Sequence, residues 1–222
     1  MKIVFICSTA GSVIRKALDT GALDSFDVEI VSDRECQAIE YAMNNGLSYL
    51  VLESKTGRDF SSKLNEKYID SEGSLFVSFY TKILTAPFID DKFGRIINFH
   101  PSILPACPGM DGFGDTIKSG ALFIGSTVHL IDSGMDTGSP LLQAAYPRNQ
   151  SISEKDLRHR VFLQQVISLV QICKWYSENR VKIINGKSYV TDASYSVGEF
   201  SPNLDDECLG LFNNSLKNMT VS

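Results

Sequence analysis

Short apolar runs rich in β-branched residues alternate with helical patterns through the first hundred residues. This alternation limits the fold more than any other feature of the chain. Lys2–Cys7 is a continuous apolar run that reads as a buried parallel strand. Phe26–Ser32, Tyr49–Leu52, Ser74–Phe79 and Arg95–Phe99 read as the next four strands. Helical patterns fall between them at Val13–Leu18, Arg34–Met43, Ser54–Ile69 and Thr81–Phe88. Asp33 is the predicted N-cap of the second helix, and Asn44-Asn45-Gly46 is its stop. Strand–helix alternation of this kind predicts an α/β fold with a doubly wound, mostly parallel sheet.

After residue 100 the pattern changes. Ile124–Ile131 and Leu141–Tyr146 read as strands joined by a loop too short for a helical crossover, so the pair is expected to be antiparallel. Ser153 and Asp156 mark the start of a long amphipathic helix reaching about Glu178. Its apolar spacing at Leu157, Val161, Val166, Leu169, Ile172 and Trp175 predicts a core face. Val181–Ile184 and Ser188–Thr191 flank Asn185-Gly186, the signature of a hairpin with a type I′ turn. The reading is one α/β domain over residues 1–192 and an acidic, turn-rich extension over 193–222, either packed over the body or disordered.

At 222 residues the chain is long enough for one such domain with an extension. A net charge of −5 argues against a nucleic-acid partner. Five scattered cysteines with no C-x-x-C spacing argue for reduced thiols, a cytoplasmic setting and no metal site. No apolar run approaches the roughly 18 residues of a membrane span, and the N-terminus is too short and weakly basic for a signal peptide. The long helix can pack against its own sheet or against a second copy, which leaves a homodimer open.

The polar residues that stand out from apolar surroundings lie between Ile96 and Gln143. Asn98 and His100 sit two apart on the predicted fifth strand, so strand periodicity points both side chains to one face. Pro101 cannot donate to a ladder and ends the strand, at the place where an α/β sheet keeps its ligand crevice. Ser133-Gly134-Met135-Asp136-Thr137-Gly138 reads as a tight loop carrying a carboxylate. An amide, an imidazole and a carboxylate together suit acyl transfer. Near the N-terminus, Ser8–Ser12 is a small-residue turn between strand and helix, a geometry that offers backbone N–H groups to a phosphate.

Beyond this chemistry, the stretch resembles the signature of the folate-dependent formyltransferases. The matching pieces are N-F-H-P-S-I-L-P at Asn98–Pro105, Pro108-Gly109, G-S-T-V-H at Gly125–His129, and D-S-G-M-D-T-G-S-P-L-L-Q at Asp132–Gln143. Similarity extends to K-I-V-F-I at the N-terminus, to Val31–Ala42, to Tyr80–Leu84 and, more weakly, to about Ile184. The resemblance implies a Rossmann-like formyltransferase fold and formyl-tetrahydrofolate as co-substrate. It implies that Asn98 and protonated His100 donate to an oxyanion while Asp136 relays a proton. It also implies that Tyr80, Thr81, Lys82, Ile83 and Leu84, with Ile131, Asp132 and Met135, line the pterin pocket, with Leu84 and Ile96 as apolar walls.

On the amine side it implies glycinamide ribonucleotide of purine biosynthesis as acceptor, held by Gly11, Ser12, Val13, Arg58, Pro101 and Gln165. Here the chain departs from the family. The family's G-S-N reads Gly11-Ser12-Val13, two histidines are replaced by Asp111 and Phe113, and Gln-Glu-His reads Gln164-Gln165-Val166. Three alternatives therefore stay open: a formyl-tetrahydrofolate hydrolase, a formyltransferase for another sugar or nucleotide amine, and a non-catalytic ligand-binding relative.

Overall fold

The computed structural model describes residues 1–217 and divides into two compact units. The first comprises Met1–Asn98 and Leu130–Gly138. It contains β1 (Lys2–Cys7), α1 (Ser12–Leu18), β2 (Asp27–Ser32), α2 (Gln37–Asn44), β3 (Ser48–Val51), α3 (Gly57–Lys67), β4 (Leu75–Phe79), α4 (Phe88–Asp91) and most of β5 (Ile96–His100). The strands run in the order β5-β4-β1-β2-β3, and every pairing is parallel.

β1 is flanked on both sides by strands, and its residues Ile3–Cys7 are fully buried, which is why it reads as an unbroken apolar run. Phe60, Phe76 and Phe88 are buried with Val4, Ile6 and Val31 in one core cluster. Phe76 meets Tyr68 and Phe88 edge-on, with ring centroids 5.3 Å apart in each pair. Each such ring contributes roughly 1.5–3 kcal/mol by leaving water.

Two predicted features of this unit are corrected. Asp33 does not cap α2; the N-cap is Cys36, because the Asp33 carboxylate is taken by Arg34, Tyr80 and Lys82. Thr81–Phe88 is not a helix. Residues 80–86 form a loop, held by Ser8–Thr81 and by Thr85 N–H donating to Ser61 Oγ, and only Phe88–Asp91 is helical. Pro87 disfavours the helical conformation of the residue before it, so the helical spacing here was not followed by the backbone.

The second unit comprises Phe99–His129 and residues from Ser139 onward. It contains α5 (Gly112–Lys118), most of β6 (Phe123–Leu130), β7 (Pro140–Pro147), α6 (Glu154–Ser177), β8 (Val181–Ile184), β9 (Lys187–Val190), β10 (Phe200–Ser201) and α7 (Asp206–Lys217). β6 and β7 pair antiparallel, as expected from their short connection. Ser153 accepts from Asp156 N–H and starts α6. The predicted core positions of α6 are all buried. β8 and β9 form the predicted hairpin, with Asn185 and Gly186 at φ 52° and 75°, the left-handed pair a type I′ turn requires. The mostly parallel α/β class is thus the observed one.

Residues beyond 192 add β10, antiparallel to β7, and α7, which packs on α6. Phe200, Leu204, Cys208 and Phe212 are buried. Gln171 and Asp205 exchange hydrogen bonds, Nε2 to Oδ2 at 3.0 Å and Asp205 N–H to Oε1 at 2.7 Å. No helix of the described residues is long and apolar enough to cross a membrane.

Candidate active site

β5 ends one residue later than predicted, on His100. Asn98 is half-buried and lies in ladder register with Ser78. Strand periodicity puts the Asn98 and His100 side chains on one face of β5. His100 is only 3% exposed, and its Nε2 lies 2.7 Å from the Cys107 carbonyl oxygen. A carbonyl can only accept, so Nε2 carries the proton and donates, which fixes the ring's tautomer and orientation. Ser102 Oγ also donates to Cys107 O at 3.2 Å and to Ala106 O at 2.6 Å. Pro101, half-buried, closes the strand ahead of this loop.

The sequence did not show that residues 102–112 hold the imidazole. α5 starts against the ring: a Cβ on Gly112 would lie 2.4 Å from His100 Nε2 and 3.2 Å from Cys107 O. Only glycine allows that approach, and no local pattern announces it. Gly112→Ala is expected to displace the ring and lower turnover by about 10²-fold, since a misplacement near 1 Å can cost that much. Its melting temperature and turnover, measured together, separate this from general unfolding.

Asp136 belongs to the first unit together with Asn98. Its loop starts where Ile131 N–H donates to Ile96 O at 3.0 Å, two residues before Asn98 on β5. Asp132 organises the turn by accepting from Gly134 N–H at 3.0 Å and Thr137 Oγ1 at 2.7 Å. Asp136 itself is half-buried at φ 55°, a left-handed conformation that costs a non-glycine residue about 1–2 kcal/mol. Met135 beside it is exposed.

The Tyr80–Leu84 segment is tied to β1 and β2 rather than coiled on itself. Thr81 Oγ1 meets Ser8 Oγ at 2.7 Å. Tyr80 OH donates to Asp33 Oδ2 at 3.0 Å, and the Lys82 ammonium reaches the same oxygen at 2.7 Å. Arg34 adds a bidentate pair to Asp33 at 2.8 and 2.7 Å. Burial and the neighbouring Asp33 raise the Tyr80 pKa, so its hydroxyl stays a donor. The Lys82 side chain, half-buried, is thus held in an ion pair with Asp33. Leu84 and Ile96 are core residues with Tyr80 and Ile131 packed against them, while Ile83 is exposed.

Asp33 is 2% exposed. Burial pushes its pKa up, but hydrogen bonds from Arg34, Lys82 and Tyr80 outweigh this and hold it at about 2. A carboxylate depressed in the folded state adds stability above its unfolded pKa near 3.8 and loses it as pH falls toward 2. The contribution is about 2 kcal/mol. Urea midpoints of wild type and Asp33→Asn, measured from pH 6 to pH 2, are expected to differ most at pH 6 and to converge toward pH 2.

On the amine side, Gly11 caps α1 with no side-chain hydrogen bond, Ser12 and Arg58 are exposed, and Val13 is buried in the core. Gln165 is half-buried, whereas its neighbour Gln164 is fully buried and donates to Glu199 Oε1 at 2.7 Å. Arg160 makes a bidentate pair to the same carboxylate, Nε at 3.0 Å. That carboxylate comes from the extension, where sequence reading assigned no role.

The formyl transferase family model matches residues 1–173. The chain belongs to the formyl transferase family. Phosphoribosylglycinamide formyltransferase of Mycobacterium tuberculosis is 33% identical to this formyltransferase over 167 residues, 72% of this chain and 77% of the relative. The chloroplastic phosphoribosylglycinamide formyltransferase of Arabidopsis thaliana is 28% identical over 196 residues, 82% of this chain and 67% of that one. Among solved structures, glycinamide ribonucleotide transformylase 1 of Symbiobacterium toebii superposes with a TM-score of 0.77 at 25% identity, covering 86% of this chain and 94% of that one. A formyltetrahydrofolate deformylase of Pseudomonas syringae shares the fold, with a TM-score of 0.73 at 18% identity over 86% of this chain and 66% of the other.

Proposed function

We propose that this formyltransferase moves the formyl group of formyl-tetrahydrofolate onto the primary amine of glycinamide ribonucleotide, in purine biosynthesis. The observation that carries the reading is the end of β5. Asn98 and a buried, tautomer-fixed His100 are two apart on that strand, and the Asp136 loop starts from hydrogen bonding to Ile96 of the same strand. The named activities of the relatives from M. tuberculosis and S. toebii support the substrate pair.

In this reading the neutral amine attacks the formyl carbon and the carbonyl oxygen takes up the negative charge. Asn98 aims its amide N–H at that oxygen. His100 acts through Nδ1, because Nε2–H is held by the Cys107 carbonyl. Asp136 accepts the proton lost by the amine and passes it toward the departing folate nitrogen, directly or through water. The flat pterin suits the apolar surroundings of the 80–84 and 131–136 segments, with backbone groups reading its donor and acceptor edge. The uncapped first turn of α1 offers N–H groups to the acceptor's phosphate. The five free cysteines support a cytoplasmic setting.

Val13 and Gln165 stand where the family carries an amide and a carboxylate, which predicts a weaker hold on the acceptor than on the folate. Calorimetric titration with a non-transferring folate analogue, then with glycinamide ribonucleotide, tests this. The expected result is saturable folate binding followed by weaker acceptor binding that requires the turn at Gly11. Absence of folate binding would overturn the proposal.

A further inference from the structure

Cys7 and Cys36 are far apart in sequence but share a neighbour. Cys7 is the last residue of β1 and lies in register with Ser32, the last residue of β2. In-register residues of parallel strands project side by side, about 4.8 Å apart. The Cys36 thiol lies 3.5 Å from Ser32 Oγ, so both thiols flank the Ser32 side chain. Cys7 is fully buried, and Cys36 is half-buried at the N-cap of α2. Neither is in a disulfide. The formyl-transfer reading uses neither residue.

We propose that Cys7 and Cys36 form a redox-responsive dithiol, which a small-molecule disulfide converts into an internal disulfide that slows formyl transfer. The chemistry follows from the unequal exposure of the two sulfurs. The Cys36 thiolate attacks one sulfur of the small disulfide, forming a mixed disulfide and expelling one small thiolate. Cys7, shielded from solvent, then attacks the Cys36 sulfur, gives up its proton to the second departing thiolate, and closes the internal bond. Two protein thiols are oxidised and one small disulfide is reduced to two thiols. The hydrogen bond from Cys7, opposed by burial and aided by Ser32, holds the Cys36 thiol at about 5, so it is ionised at neutral pH. The neighbouring Cys36 sulfur, and then burial, keep Cys7 protonated until the second step.

The inhibition rests on the proposed acceptor site. Cys7 is followed at once by the turn Ser8–Gly11, and Cys36 stands two residues before Ala38. Ala38 N–H donates to Thr9 O at 3.3 Å, and a Cβ on Gly11 would lie only 3.1 Å from Ala38 Cβ. The turn and the start of α2 are packed without slack. Closing the sulfurs to the bond length of about 2.05 Å shifts one against the other.

The test incubates the full chain with oxidised glutathione and maps cysteines by mass spectrometry under non-reducing conditions. The expected product is a Cys7–Cys36 cross-linked peptide, reversed by dithiothreitol and lost in both Cys36→Ser and Cys7→Ala. Cys7→Ala is expected to stop at the glutathione adduct on Cys36. A stable adduct on wild-type Cys36 with no cross-link, or no reaction at all, overturns the dithiol. This arm needs no turnover, so it fails or succeeds independently of the formyl-transfer reading. In the second arm, oxidised wild type is expected to lose at least about tenfold in turnover while treated Cys7→Ala and Cys36→Ser keep more than wild type does. Unchanged turnover in fully cross-linked protein overturns the inhibitory role.

Discussion

Asn98→Ala lowers formyl transfer by about 10²–10³-fold while binding of a folate analogue changes by less than about threefold. The size follows from the role. A donor aimed at an oxygen that becomes charged only during the reaction contributes mainly to the transition state, so its loss appears in kcat and leaves ground-state binding almost intact. Asp136→Asn is expected to fall at least about 100-fold for a different reason: the amide keeps the size of the acid but cannot accept the amine's proton. The double variant is expected to fall well short of the product of the two losses, since groups that serve one transition state are non-additive. Steady-state kinetics on the three variants, with circular dichroism to confirm folding, measures this. A drop confined to KM in Asn98→Ala would place the residue in substrate binding.

Glu199→Gln costs about 1–3 kcal/mol of stability, the range for leaving a charged hydrogen-bonding group without its partner in a partly buried pair. The Arg160 and Glu199 side chains are 19% and 15% exposed, so water compensates little. Arg160 also lies over the Tyr146 ring at 3.9 Å, which holds the guanidinium beside Glu199. Gln164 Nε2 loses its charged acceptor in the same step, and its Oε1 is already buried without a partner. Glu199 O also accepts from Ala145 N–H, next to the β10 pairing with β7. The substitution therefore loosens the attachment of the extension as well as the pair. Urea unfolding of wild type and variant gives the number. A loss under about 1 kcal/mol would mean that the pair is solvated and the extension is held by Phe200, Leu204 and Phe212 instead.

What the sequence showed, it showed through local chemistry. β1 was legible because a strand covered on both faces needs no polar residue. The β8–β9 hairpin was legible because Asn185-Gly186 supplies two left-handed residues at the required place. The candidate polar residues Asn98, His100 and Asp136 were singled out by spacing and by the matched motifs. The misreadings share one cause, tertiary partners overriding local preference. Asp33 has the composition of an N-cap, but two cations and a tyrosine hydroxyl claim its oxygens across the sheet. Thr81–Phe88 has helical spacing, yet Thr81 is held by Ser8 and Thr85 by Ser61.

α5 was invisible because two glycines in its first turn lower helix propensity, and one of them is required by the approach to His100. The extension looked undecided because its apolar residues are sparse. In the structure Leu204, Cys208 and Phe212 recur every four residues and bury one stripe of the chain into and along α7. Glu199 could not be read at all, since its partners Arg160 and Gln164 lie on α6, separated from it by the β8–β9 hairpin.

Formyl transfer between two substrates is read from initial-rate turnover. Purified protein is mixed with formyl-tetrahydrofolate, with and without glycinamide ribonucleotide, and tetrahydrofolate, formylated ribonucleotide and free formate are quantified together. The expected result is tetrahydrofolate and formylated ribonucleotide in equal amounts, little formate, and almost no folate turnover without the amine. Formate released at the same rate whether or not the amine is present would contradict it.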